Sequence, residues 1–272
     1  MQPTKIVSLE QLLDGRYGSV LCYPKYSVKE AIKRTKELKL LGVKAVEFAG
    51  EKTAFNLRVL GKGCVGIVVI VHTRTGRVAL KIRRVDADRK GMEHEAEMLA
   101  KANSIGVGPC LIASNEDFLL MEYVEGKLLP QWIASLKGRG ARKRIRLVLR
   151  GILEQCWKLD QAGLDHGELS RAPKHLIIDA DDKAHIVDYE TASAKRRTSN
   201  VTSICQFLFL GSQLAKTMRR KLGKIQSKAL IAVLRDYKLN HTKQNFLRIL
   251  QMCRLTQCVL PKNENCMKLP SF

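Results

Sequence analysis

The sequence predicts an α+β fold, with an antiparallel sheet in its first half and helices in its second. Three observations carry this. Between residues 55 and 82, short β-rich runs are separated by a glycine loop and a Thr-Gly turn, the pattern of a meander. From residue 128 onward, apolar residues recur at helical spacing. Residues 164–190 hold two short apolar runs around an Asp-rich turn, a hairpin signal.

The totals set bounds. At 272 residues, with 45% hydrophobic and 27% charged, the chain is long enough to bury a sizeable core and is not compositionally disordered. A net charge of +22 suits anionic partners such as nucleotides or RNA, and it equally suits general solubility. Aromatic residues make up only 6%, so base-stacking platforms are not advertised. The cysteines, at positions 22, 64, 110, 156, 205, 253, 258 and 266, include no C-x-x-C pair; this excludes ordinary zinc-ligand spacing and fits a reducing cytoplasm. No charged-then-apolar leader opens the chain. The longest apolar span, residues 204–214, is too short to cross a membrane.

Taken in order, Leu9, Leu12 and Leu13 suggest one short helix. Ser27 and Glu30 form a capping box that opens a helix to about Leu41, with Val28, Ile32 and residues 38–41 as its apolar side and Gly42 as its stop. Residues 44–48 and 55–60 read as strands. Gly61, Gly63 and Gly66 then form a glycine loop between strands, followed by strands over 67–71 and 78–82. A glycine loop between two strands suits a lid over nucleotide phosphates, because without β-carbons the backbone N–H groups can approach phosphate oxygens closely; a plain glycine-rich hairpin reads the same way. Lys81 lies in an apolar V-A-L-K strand and needs a partner. Glu95, beside the inner face of a helix over 91–103, is its candidate. Strands over 109–113 and 118–124 follow, the second running into M-E-Y-V-E-G.

In the second half, residues 146–159 form an amphipathic helix ending at Gly163, and helices are predicted over 200–214, 226–238 and 242–255, with a tail over 260–272. The hairpin within 164–190 brings His175, just before its first strand, close to Asp188, at the end of its second. Such a pair suits a metal or phosphate site, and it also suits merely solvated strand ends.

Together these motifs resemble the eukaryotic-type protein-kinase superfamily over roughly residues 55–215. The likeness is nearest to the compact archaeal Ser/Thr kinases of the RIO-like branch, relatives of the small kinase of the KEOPS complex. Gly61–Gly66 matches the glycine loop, V-A-L-K the phosphate-binding lysine and Glu95 its helix partner. M-E-Y-V-E-G matches the hinge, His166-Gly-Glu the catalytic H-R-D, and Asp188-Tyr-Glu the D-F-G.

The resemblance implies a bilobal protein-kinase-like fold: an N-terminal extension over 1–50 packed on the N-lobe, an antiparallel-sheet N-lobe over 51–123, and a small, reduced helical C-lobe over 124–272. It implies that Lys81 holds the α/β-phosphates of ATP, that the backbone of Glu122 and Val124 holds adenine beneath Val68 and Ala79, and that Asp188 binds the metal. It places Glu168 as the catalytic acceptor of the substrate proton and His175 where an asparagine metal ligand normally stands. Imidazole suits Mn²⁺ better than Mg²⁺. Gly167 replaces the arginine that reads an activation-loop phosphate, which argues against switching by loop phosphorylation. Asp165 reads as a loop or capping residue.

The expected function is therefore an ATP-dependent Ser/Thr protein kinase acting in the cytoplasm, using Mg²⁺ or Mn²⁺ on an undetermined protein substrate. An ATP-binding pseudokinase or ATPase switch on RNA or a ribonucleoprotein is the alternative, with residues 137–150 and 195–197 as its basic surface. A small-molecule phosphotransferase is the third reading.

Overall fold

The computed structural model describes residues 4–88, 91–223 and 225–256. The first part is built from β1 (Lys5–Ser8), a 3-10 turn (Glu10–Leu13), α1 (Gly15–Gly18), α2 (Val28–Leu40), β2 (Ala45–Phe48), β3 (Lys52–Ala54), β4 (Leu57–Val59), β5 (Gly61–Lys62), β6 (Gly66–Thr73), β7 (Gly76–Arg83), α3 (Glu93–Ser104), β8 (Leu111–Ser114) and β9 (Phe118–Glu122). The second contains β10 (Gly126–Leu128), α4 (Leu129–Ser135), α5 (Ala141–Gln161), a 3-10 segment (Leu169–Lys174), β11 (Leu176–Asp179), β12 (Ala184–Ile186), α6 (Asn200–Cys205), a π-helical turn (Gln206–Leu210), α7 (Gln213–Leu222), α8 (Ser227–Leu239) and α9 (Lys243–Met252). The result is an α+β architecture with an antiparallel-sheet N-terminal part and a helical C-terminal part, consistent with a bilobal kinase-like fold.

The main sheet runs β1-β2-β6-β7-β9-β8, with β5 also pairing β6. Its register decides which side chains share a face. Val68 lies opposite Lys81 and Ile70 opposite Ala79, while Ala79 lies opposite Met121. Directly opposed residues share a face, so Val68, Ile70, Ala79, Lys81 and Met121 line one side. The alternate residues Ile67, Val69, Val71, Val78, Leu80 and Ile82 pack on the other side against Leu12, Leu21 and Leu38 of the N-terminal segment. A second core joins α4–α9 to the Leu176 hairpin and to Leu99 of α3.

What fastens α2 to the sheet is a buried charge, not the apolar stripe the sequence suggests. Val28, Ile32 and Leu40 are exposed, and the inner face is Ala31, Arg34 and Leu38. Arg34 donates to the carbonyls of Leu21 and Arg83, to Glu30 and to Asp117. A buried guanidinium is tolerable when its donors are all directed at acceptors. Glu30 thus serves Arg34 rather than closing a capping box, although Ser27 still caps the helix through the Glu30 amide.

Other differences from the sequence reading have local causes. The strand expected over 55–60 is a hairpin, because Phe55 and Asn56 both take positive φ and turn the chain between β3 and β4. The helix expected over 200–214 ends in the π-turn, and Ser212 starts α7 by accepting from the Ala215 amide. The strand after 118 stops at Glu122, and Gly126–Leu128 forms β10 against β11. The tail at 260–272, which includes Cys266, lies outside the described residues, as does Cys258. Cys22, Cys156, Cys205 and Cys253 are buried and free, while Cys64 and Cys110 are exposed and free. No described helix is long and apolar enough to cross a membrane.

Candidate active site

Lys81 is the centre of the candidate site. Its Nζ lies 2.7 and 2.9 Å from the two carboxylate oxygens of Glu95, 3.1 Å from Asp188 Oδ1 and 3.0 Å from Glu190 Oε2. Strand β7 fixes the lysine, and α3 brings Glu95 over it through the buried contacts of Met98 and Leu99. Burial works against the ammonium, but Glu95, Asp188 and Glu190 outweigh it and hold Lys81 protonated far above its ordinary range. Burial likewise opposes the Asp188 carboxylate, yet the charge and hydrogen bond of Lys81 keep its pKa below the usual value.

Gly66 has a clear reason to be glycine. A β-carbon there would meet the Ile82 carbonyl at 2.8 Å and the Lys81 stem at 3.2 Å. Its missing side chain makes room for Lys81. Gly61 and Gly63 are less constrained: a β-carbon on Gly61 would touch Val68 at 3.4 Å, and one on Gly63 would stand 3.7 Å from the Gly66 carbonyl. The turn itself closes with the Gly63 amide donating to the Gly66 carbonyl.

The strand exit fixes the backbone around Glu122. The Glu122 N–H is already committed to the Cys110 carbonyl, and the Glu122 side chain accepts from the Cys110 amide. Among the described residues the Val124 N–H has no backbone partner, so it is a donor that segment can offer. Val68 is half-buried and Ala79 buried on the same face of the sheet.

The hairpin of β11 and β12 does bring His175 to Asp188. Leu176 lies opposite Ile186, the Val187 amide donates to the His175 carbonyl, and His175 Nδ1 stands 3.5 Å from Asp188 Oδ2. Asp188 has φ 71°, a left-handed conformation that costs energy outside glycine and concentrates at functional sites. The other ring nitrogen of His175 lies 2.9 Å from Glu168 Oε2. Burial lowers the His175 pKa against the pull of Asp188 and Glu168. His166, buried beside it, is pushed down to about 4 by burial and by His175, and its Nε2 meets the Val187 carbonyl. Tyr189 stacks edge-on against His166 and fills the space beside Gly108.

Gly167 takes φ 90°, and a β-carbon would strike the Arg196 guanidinium at 2.6 Å and the Thr191 carbonyl at 3.0 Å. An arginine has no room there. Asp165 accepts from Arg196 and from the backbone and hydroxyl of Ser199, which ties its loop to the start of α6.

Two residues escaped the sequence reading. Glu190 stands at the third position of the D-F-G pattern, where glycine would be, and adds a third carboxylate to Lys81; one ligand oxygen each from Glu95, Asp188 and Glu190 lies within 4.8 Å of the others, a donor set able to hold a cation. The charged residue at a normally uncharged position was its signal. Asn200, at the start of α6, accepts from the His166 amide and donates to the Leu164 carbonyl and to Asp160. It ties the 164–168 loop to the helical core, and nothing in its sequence context announced it.

No protein-family model matches the chain. It is 31% identical to the uncharacterized protein MJ1211 of Methanocaldococcus jannaschii over 103 residues, which cover 38% of this chain and 84% of that protein. It is also 31% identical to the serine/threonine-protein kinase YabT of Bacillus subtilis over 132 residues, covering 44% of this chain but only 36% of that kinase. The chain belongs to the same family as the archaeal protein, and the bacterial match relates part of it to a serine/threonine kinase.

Proposed function

We propose that this member of the archaeal protein's family is an ATP-dependent protein kinase that moves the γ-phosphoryl group of ATP onto a serine or threonine hydroxyl. The observation that carries the reading is one ammonium, Lys81, held between Glu95 on α3 and Asp188 at the end of the hairpin. Phosphoryl transfer asks little covalent chemistry of a protein, so positioning and charge do the work. Lys81 would bind the α/β-phosphates, Glu95 would keep it aimed, and the Val124 N–H would receive the adenine edge beneath Val68 and Ala79.

Asp188 and His175 suit a divalent cation, since a buried His175 Nδ1 without a hydrogen bond faces the carboxylate. Such a cation would neutralise charge on the phosphate oxygens. In the transfer the substrate oxygen bonds to the γ-phosphorus, the bond to the β–γ bridging oxygen breaks, and ADP leaves. Glu168, whose side chain is 35% exposed, would take the hydroxyl proton on Oε1.

Equilibrium binding of ATP tests this directly. Lys81→Ala should weaken binding at least tenfold while the chain stays folded; unchanged affinity would overturn the reading.

A second reading has its own observation. Residues 126–153 and 191–235 contain no Asp or Glu, and they pack together where Arg142 donates to the Leu222 carbonyl. Lys137, Arg139, Lys143, Arg219 and Arg220 are exposed on this side, a surface suited to RNA and to a nucleotide switch bound on it. The surface is narrower than the sequence suggests, because Arg144 pairs with Asp182, Arg150 with Glu154 and Arg196 with Asp165. Salt-sensitive RNA binding that survives neutralisation of the exposed residues would remove this alternative.

A further inference from the structure

Glu168 is more than a proton acceptor. His175 is 1% exposed, and its Nε2 faces a Glu168 oxygen at 2.9 Å. An ionised carboxylate only accepts, so Nε2 carries the ring proton. A neutral ring protonated on Nε2 has its lone pair on Nδ1. That atom is buried, makes no hydrogen bond among the described residues and stands 3.5 Å from Asp188 Oδ2. The other Asp188 oxygen is taken by Lys81. A buried acceptor, His175 Nδ1, therefore faces an oxygen of the part-exposed Asp188 carboxylate with no proton between them to share, which is unfavourable unless a cation joins them.

We infer that Glu168 is a positioning residue for a divalent-cation site made by His175 Nδ1 and Asp188 Oδ2, and that this site prefers a first-row transition cation such as Mn²⁺ over Mg²⁺. The arrangement is a carboxylate fixing the tautomer and aim of a metal-binding histidine. Nitrogen donors favour the transition cation, whereas Mg²⁺ favours oxygen and retained water. The inference deepens the kinase reading, which supplies the role of Asp188, but its test needs no nucleotide.

The experiment is a Mn²⁺ titration of the full chain, without nucleotide, followed by electron paramagnetic resonance, with pulsed detection of nitrogen coupled to the bound ion. Wild type should show histidine nitrogen coupling, and Mg²⁺ should displace Mn²⁺ poorly. His175→Ala should lose the coupling. Glu168→Ala should weaken Mn²⁺ binding by about 10–100-fold, and Glu168→Gln should restore most of the affinity, because an amide oxygen still accepts from Nε2–H. That restoration separates positioning from loss of fold, and thermal unfolding without metal checks the alanine variants. Absence of nitrogen coupling in wild type, or wild-type Mn²⁺ affinity in Glu168→Ala, would overturn the inference. The kinase reading fails separately: ATP binding indifferent to Lys81→Ala, beside His175-dependent Mn²⁺ binding, would sink that reading and leave this one standing.

Discussion

The Nζ of Lys81 lies within 3 Å of both carboxylate oxygens of Glu95, 14 residues along the chain and on a different element. Both side chains are at most 7% exposed. A buried pair of this kind is weak evidence of stability, but removing one partner strands a charge. Lys81→Met should therefore destabilise the chain by about 3–5 kcal/mol, since three carboxylates lose their cation. Glu95→Gln should cost less, because Asp188 and Glu190 remain on the ammonium. Chemical denaturation of both variants checks the order; equal losses would contradict it.

Glu190 should compete with nucleotide. Its carboxylate sits 3.0 Å from Lys81 Nζ, the ammonium proposed to bind the phosphates. Glu190→Gln removes that negative charge and leaves the Glu95 pair, so ATP affinity should rise several-fold in calorimetric titration. A fall would instead assign Glu190 to the cation.

Gly167 should resist substitution. At φ 90°, with Arg196 and Thr191 in the path of a β-carbon, Gly167→Ala should cost about 1–3 kcal/mol. Gly167→Arg should cost more, and neither should gain dependence on loop phosphorylation. Thermal melts measure the loss.

Asn200→Ala should loosen the loop. It leaves the buried His166 amide and Leu164 carbonyl without their partner, at about 1–3 kcal/mol for each unsatisfied group. Hydrogen exchange at the His166 amide should rise relative to amides in the sheet. Unchanged protection would refute the tie.

Acid should release α2 from the sheet. Burial opposes the Asp117 carboxylate, but Arg34, with Lys33 and Arg83, outweighs it and lowers its pKa below the ordinary value. A depressed carboxylate contributes its stability above the unfolded pKa of about 3.9 and loses it as pH falls through the folded value. Asp117→Asn should thus lower stability at neutral pH and flatten the acid limb below about pH 4. A wild-type acid limb in that variant would contradict the account.

Legibility followed the range of the forces involved. Lys81, Glu95 and the His175–Asp188 hairpin could be read because local period and turn chemistry place them. The sheet and the helical second half were legible for the same reason. Arg34 was not, since its burial depends on Asp117, 83 residues away, and sequence periodicity assigns charges to water. Asn200 likewise acts through groups 34 to 40 residues distant. The turn at Phe55 and Asn56 was hidden because an aromatic residue at positive φ defies turn preference. Gly167 was noticed as a departure, but only the packed Arg196 explains why glycine must stand there.

The central claim is transfer of phosphate, and γ-labelled ATP tests it most directly. With Mn²⁺ or Mg²⁺, label should appear on protein serine or threonine with the wild-type chain. It should vanish in both Lys81→Ala and Asp188→Asn, with each variant still folded. Transfer that persists in either variant, or ATP binding in wild type with no transfer to any protein, would contradict the account.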